Sequence, residues 1–362
     1  MTAEPSIPLS ETVIGLIARS LQATPERVSV ERVTGDASTR AYFRARANEQ
    51  SLIIALYGSP FDERLSGAER LTLLEMDNPS ARLAFASDPI AYLEATALFL
   101  EAQLPVPKII GVSGENRVIF IEDVGDARLQ DWMQNRSISG VREAYQRAMQ
   151  LIVKIQEATE LTKQSGVICS ELAFDEAKLK WELGFFFVNF VNKYLNLKLD
   201  AATSMAIQQD FKTLCADLAA RPRVLTHRDY HTRNLMMKDG EMFIIDHQDA
   251  RMGPASYDVA SFLSDPYAAI DEAIKNDMLD YFIDLKSSSS QPLASLEAFR
   301  EELHLMTVQR MVKAIGTYAY QAAVMKNEIY VSYIAPAARA ALDSMHTLQR
   351  FEPLSALLEK AL

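Results

Sequence analysis

Residues 224–258 read VLTHRDYHTRNLMMKDGEMFIIDHQDARMGPASYD, and the fold follows from how this stretch is parsed. His227-Arg228-Asp229 leads to Asn234, and an apolar run from Met242 to Ile245 ends on Asp246. Lys238-Asp239-Gly240 has the chemistry of a tight turn, so 235–237 and 242–245 read as the two strands of a hairpin. An Asp in a tight loop can reach a substrate hydroxyl, and an Asn five residues later can turn back toward the same place if the loop folds on itself. A carboxylate leaving a buried strand has a fixed direction, which suits a metal ligand. Phosphoryl transfer from ATP calls for that set: a carboxylate for the attacking hydroxyl's proton, plus an amide and a second carboxylate for the metal ions on the triphosphate. The structural alternative is a salt-bridged turn at Arg228-Asp229 and an Asp246 that caps the next turn. Asp258, just before a helical run, reads as a cap or a loop anchor rather than a catalyst. His231 and His247 lack further Cys or His at ligand spacing, which argues against zinc.

Upstream, Ser10 is a candidate N-cap for an amphipathic helix from Glu11 to Gln22. Val28 to Val33, Ala41 to Arg46 and Ser51 to Tyr57 read as strands, with Gly35-Asp36-Ala37-Ser38 a turn between the first two. Helical stretches follow from Asp62 to Met76 and from Ile90 to Gln103, then strands Lys108 to Val112 and Arg117 to Ile121. The pattern predicts a small α+β domain over residues 1–123. From there the character is helical: 129–133, 141–158, 174–195 and 202–220, then, beyond the hairpin, 255–263, 267–285, 293–322 and 334–348. Residues 124–362 form the second predicted domain, which carries the catalytic loop and the acceptor site.

The 362 residues suffice for two cores, and 49% hydrophobic with 23% charged residues is ordinary for a globular chain. A net charge of −11 argues against broad binding to nucleic acid or to anionic membrane. Two cysteines, Cys169 and Cys215, exclude a disulfide framework. The N-terminus has no basic region ahead of its apolar part, and the apolar run at 185–191 is too short to span a bilayer, so the expected location is the cytoplasm.

HRDYHTRN followed by IIDHQDARMGPASYD resembles the aminoglycoside phosphotransferase-like kinases, small-molecule kinases with a protein-kinase-like fold. GDASTRAYFR (35–44), IEDVGD (121–126) and VQRMVKAIGTYAY (308–320) narrow the resemblance to the bacterial cell-wall sugar kinases, which act on the anomeric hydroxyl of N-acetylmuramate and N-acetylglucosamine. The resemblance implies an α+β, two-lobed fold with a small β-rich N-lobe and a larger, mainly helical C-lobe. It implies Asp229 as catalytic base, and Asn234 and Asp246 as ligands of Mg2+ on ATP. Gly35, Ser38, Thr39 and Arg40 would lie over the phosphates, and Glu122 to Val124 would be the hinge whose backbone meets the adenine.

Two departures from the wider superfamily stand out. A GDAS turn replaces a G-x-G-x-x-G loop, and the strand 51–57 has no lysine for the α- and β-phosphates, so Arg40 or Arg44 is the candidate cation. For the acceptor, Arg310 and Lys313 lie on adjacent turns of one predicted helix, near Gln309, Tyr318 and Tyr320. Either cation would suit a lactyl carboxylate, whereas a cationic acceptor would want carboxylates; the plain alternative, strongest for Lys313, is a solvated helix face. The expected activity is an ATP-dependent phosphotransferase acting on a hydroxyl of an amino sugar. Its rivals are a kinase of an aminoglycoside or amino alcohol, and a nucleotide-binding module that transfers nothing.

Overall fold

The computed structural model describes residues 9–33, 40–268 and 270–362. The expected phosphate-loop residues Gly35, Ser38 and Thr39 lie outside the described residues, whereas Arg40 lies within them. The chain divides into two compact units: Met1–Ala127 with Met236–Gln248, and Arg128–Leu235 with Asp249–Leu362.

The first unit is built on five antiparallel strands, β1 (Ser29–Val33), β2 (Ala41–Ala47), β3 (Gln50–Leu56), β4 (Ile109–Ser113) and β5 (Val118–Glu122), in the order β1-β2-β3-β5-β4. Both faces of the sheet are covered, which explains why β3 reads as an unbroken apolar run. Leu52, Ile54 and Leu56 point to one face and pack with Phe43, Val118 and Phe120 against Val13 and Ile17 of the helix Glu11–Ser20 and Leu21 just after it. Ala55 and Tyr57 point to the other face and join Ile119, Ile121, Phe61 and the helix residues Ile90 and Tyr92. The helix Glu11–Ser20 starts where Ser10 predicts, its hydroxyl accepting the Val13 N–H. Between β3 and β4, Ser66 and Glu69 close a capping box on the helix Gly67–Asp77, and Asp88 caps Pro89–Glu101.

The hairpin foreseen in residues 235–245 is strands β7 (Leu235–Lys238) and β8 (Glu241–Ile244), counted after β6 (Arg223–Thr226). Asp239 and Gly240 both take positive φ, as a two-residue hairpin loop requires. Residues 236–248 belong to the first unit through named bonds. Met237 N–H donates to Ala127 O, Ile244 N–H to Pro105 O and Lys238 Nζ to Asp123 O, each within 2.8 Å. His247 is buried, 2.7 Å from the Thr96 hydroxyl and stacked on Phe99. That placement gives the histidine inside the motif a packing role.

The second unit is helical apart from β6 and β9 (Arg251–Pro254), an antiparallel pair that the sequence reading did not foresee. Thr226 Oγ1 donates to Arg251 O, and Gly253 lies so close to Phe174 that an added Cβ would meet its ring at 2.7 Å. The helix expected over 174–195 is α-helical from Glu176 to Phe186 and continues as π-type turns from Phe187 to Tyr194. The longest helix, Leu296–Ala323, crosses it at Gly316, where a Cβ would lie 2.6 Å from the Phe186 Cα. The helix expected over 267–285 runs instead from Glu272 to Ser287, because Asp271 supplies the cap. A terminal helix, Glu352–Leu358, was not foreseen.

This is the expected class: a small antiparallel-sheet part and a larger helical part. No helix of the described residues is long and apolar enough to cross a membrane.

Candidate active site

The loop after β6 carries His227, Arg228 and Asp229, and its backbone is held by side chains from elsewhere in the second unit. Asp258, fully buried at the start of the helix Tyr257–Leu263, accepts the His227 N–H at 2.7 Å and the Arg228 N–H at 3.0 Å. This fulfils the loop-anchor reading of Asp258. Seven residues on, Asp265 does the same for the end of the loop, accepting the Thr232 N–H and hydroxyl at 2.9 and 2.6 Å and the Tyr267 N–H at 2.9 Å. Arg228 has φ +83°, a left-handed conformation uncommon for a non-glycine residue, and the two Asp258 bonds hold it there.

Four cationic side chains surround Asp229 and its neighbours. Arg228 Nη1 lies 3.2 Å from one Asp229 oxygen, Lys313 Nζ lies 3.0 Å from the other, and Arg310 approaches that oxygen at 3.5 Å. Arg310 is also bonded to the Tyr257 hydroxyl at 2.9 Å and to Ser261 Oγ at 2.8 Å. The fourth is Arg251, which pairs with Asp249, itself an ion partner of Arg228. Lys313 is therefore not a solvated helix-face residue, the plain alternative considered for it: its side chain is 15% exposed and faces Asp229.

Behind them stands Glu182, a buried carboxylate on the helix Glu176–Phe186. It accepts from Gln309 Nε2 at 2.9 Å and from Arg228 Nη2 at 3.3 Å, with Lys178 Nζ at 3.8 Å. Burial alone would raise its pKa; Lys313, Arg228, Lys178 and Arg310 outweigh that and hold it at about 2. The same contest decides Asp229, where burial favours the neutral acid but Arg228, Lys313 and Arg310 keep the carboxyl well below the usual carboxylate range. Lys178 goes the other way: burial, then Arg228 and Arg251, depress it to about 6 despite Glu182. Sequence reading passed over Glu182, although one acid in the apolar stretch WELGFFFVNFV is a visible signal. Nothing in the sequence distinguishes Asp265 or Ser261.

Asn234 ends the loop. Its amide nitrogen donates to the Asp229 carbonyl at 2.9 Å, so the atom it would offer a metal is its carbonyl oxygen. Asp229, Asn234, Arg310 and Lys313 are thus brought together within the second unit, Asn234 through the Asp229 backbone and the two cations through its carboxylate.

Within the first unit Asp246 stands two residues after β8, at φ +62°, its side chain 41% exposed and bonded by Gln248 Nε2 at 2.7 Å. Arg40 Nη2 lies 3.7 Å from Asp246 Oδ1, with the guanidinium about 6 Å from the ring centres of both Tyr42 and Tyr57. Burial works against the Arg40 charge, but Tyr42, Tyr57 and Asp246 more than offset it. Arg44, the other candidate for the missing lysine, is committed elsewhere: it binds Asp123 at 2.7 and 3.0 Å, Asp126 at 2.8 Å and Gly125 O at 3.3 Å. It pins the segment expected to be the hinge. In that segment the Glu122 N–H donates to Lys108 O, the Asp123 carbonyl accepts Lys238 Nζ, and Val124 is buried.

The donor chemistry fits Mg2+, which takes hard oxygen ligands and is bound by one or two protein groups together with substrate phosphates. Among the described residues no three His, Cys, Asp or Glu side chains cluster as a metal site of their own.

The model of the phosphotransferase enzyme family matches residues 29–284. The chain is 27% identical to the N-acetylmuramate/N-acetylglucosamine kinase of Pseudomonas aeruginosa, covering 79% of this chain and 75% of that protein. It is 27% identical to the kinase of the same name from Neisseria meningitidis serogroup B, covering 82% and 79%. Among solved structures it resembles a choline kinase from Cryptosporidium parvum (TM-score 0.59, 12% identity, 96% and 99% covered) and a spectinomycin phosphotransferase in complex with ADP and spectinomycin (TM-score 0.53, 15% identity, 93% and 95% covered).

Proposed function

The chain belongs to the phosphotransferase enzyme family, and on that premise we propose that it transfers the γ-phosphoryl group of ATP to the anomeric hydroxyl of N-acetylmuramate or N-acetylglucosamine. The observation that carries the reading is Asp229 set among Arg228, Arg310 and Lys313. An acceptor hydroxyl would meet a carboxylate there, and a cationic acceptor such as an aminoglycoside or choline would meet three positive charges. The acceptor named for the curated relatives agrees with that polarity.

In this mechanism Asp229 accepts a hydrogen bond from the acceptor hydroxyl and aims its oxygen in line with the γ-phosphorus. Its low proton affinity suits a loose transition state, in which the hydroxyl proton departs late and orientation matters more than base strength. Asp258 and Asp265 keep the loop in place, so the geometry is set before the acceptor arrives. Asn234 Oδ1 and the Asp246 carboxylate are assigned to Mg2+, which when bound would neutralise charge on the phosphates. Arg40 beside Asp246 takes the place of the strand lysine on the phosphates, and the backbone between Glu122 and Val124 is assigned to the adenine.

The test is ADP release by the purified protein against N-acetylmuramate, N-acetylglucosamine, kanamycin and choline. Stimulation by the N-acetyl sugars supports the reading. Stimulation by kanamycin or choline alone overturns the acceptor assignment, and ATP binding with no stimulation by any acceptor identifies a module that transfers nothing.

A further inference from the structure

Arg310 and Lys313 both touch Asp229, yet they are held differently. The Arg310 guanidinium is 5% exposed and fixed by the Tyr257 and Ser261 hydroxyls as well as by Asp229, so it cannot leave without stranding two partners. The Lys313 ammonium has one hydrogen-bond partner among the described residues, Asp229, and it is the more exposed of the two. Its four-carbon stem also allows a swing that a braced guanidinium lacks. If Lys313 moves away, Asp229 keeps Arg228 and Arg310, and the buried Glu182, which Lys313 also steadies, keeps its bonds from Arg228 and Gln309, so the exchange does not abandon a buried charge.

We propose that Lys313 is a transferable counter-ion: it holds Asp229 until an acceptor carboxylate takes it, and in doing so selects N-acetylmuramate, which bears a lactyl carboxylate, over the uncharged N-acetylglucosamine. The inference rests on the acceptor reading above and deepens it. Its chemistry is an exchange of one carboxylate for another at the same ammonium, with no bond made or broken. The acceptor gains a charge-assisted bond, while Arg228 and Arg310 stay beside Asp229. Burial and then Arg228 depress the Lys313 ammonium to about 8 against the pull of Asp229, so a carboxylate beside it is what keeps it charged.

The experiment compares kcat/KM for the two sugars in the wild-type protein, Lys313→Met and Lys313→Arg, with thermal unfolding as the control for folding. The ratio of N-acetylmuramate to N-acetylglucosamine is expected to fall about tenfold or more in Lys313→Met, chiefly through KM for N-acetylmuramate, and to recover in large part in Lys313→Arg. A second measurement needs no variant: the methyl ester of N-acetylmuramate keeps the bulk, loses the charge, and should be used by the wild-type protein no better than N-acetylglucosamine. Equal losses on both sugars in Lys313→Met, or an ester used as well as the acid, overturn this inference and leave the acceptor reading standing. A wild-type protein that phosphorylates neither sugar overturns that reading and this inference with it.

Discussion

Asp258 holds Arg228 by its backbone: the Arg228 N–H donates to Asp258 Oδ1 at 3.0 Å while Arg228 sits at φ +83°. The other Asp258 oxygen takes the His227 N–H, so one buried carboxylate satisfies two adjacent amides and fixes the turn that presents Asp229. Asp258→Ala should strand both amides and destabilise the protein by about 2–4 kcal/mol, read as a shift of the urea midpoint. Turnover should fall about tenfold or more, because the loop loses its support. Unchanged stability would show that the two bonds contribute nothing net.

Asp229→Asn removes the charge that Arg228, Arg310 and Lys313 surround and the acceptor for the substrate proton. Expected is a loss of roughly three or more powers of ten in kcat, with ATP affinity within a few-fold of wild type. Single-turnover chemistry and equilibrium nucleotide binding separate the two. Full turnover in the variant would end the assignment of Asp229.

The two arginines considered for the phosphates should part company. Arg40→Ala is expected to raise KM for ATP about tenfold or more with little change in KM for the acceptor. Arg44→Ala should instead lower stability by about 1–3 kcal/mol, because Asp123 and Asp126 lose their shared donor. ATP affinity untouched in Arg40→Ala removes that residue from the phosphate site.

Lys178 makes stability depend on pH. Its folded pKa is depressed to about 6 from the ordinary lysine value of 10.5, so between those values the unfolded chain binds a proton that the folded one does not. Stability therefore rises with pH across that window, and the cost of burying the charge is fully present only below about 6. In Lys178→Met the rise over this range should flatten, as followed by denaturant midpoints from pH 6 to 10. An identical slope in the variant would assign the pH dependence elsewhere.

What the sequence disclosed and what it withheld have physical reasons. Asp229, Asn234 and Asp246 stand at spacings within one stretch, and the Lys238-Asp239-Gly240 turn announces its hairpin by turn chemistry alone. The β6–β9 pair was hidden because its four-residue strands are too short for a period to show. Residues 236–248 join the first unit through bonds to Pro105, Asp123 and Ala127, more than a hundred positions earlier, which no local pattern encodes. Arg40 and Arg44 looked equivalent, four residues apart; only their partners, Asp246 for one and Asp123 with Asp126 for the other, tell them apart. Lys313 looked like a solvent-facing cation because helical spacing reports a face and not what that face meets.

Gly316 lies one turn beyond Lys313, with no room for a methyl group before the Phe186 backbone, and Phe186 lies one turn beyond Glu182. The absence of a side chain there sets how near the helix bearing Arg310 and Lys313 comes to the helix bearing Glu182. Gly316→Ala should therefore lengthen the Gln309–Glu182 bond and cost about 1–3 kcal/mol, with the KM for the acceptor rising while that for ATP stays put; equal changes in both would speak against it. Acceptor choice in this enzyme is thus open to retuning from behind, by the thickness of a helix contact, with every charged group left as it is.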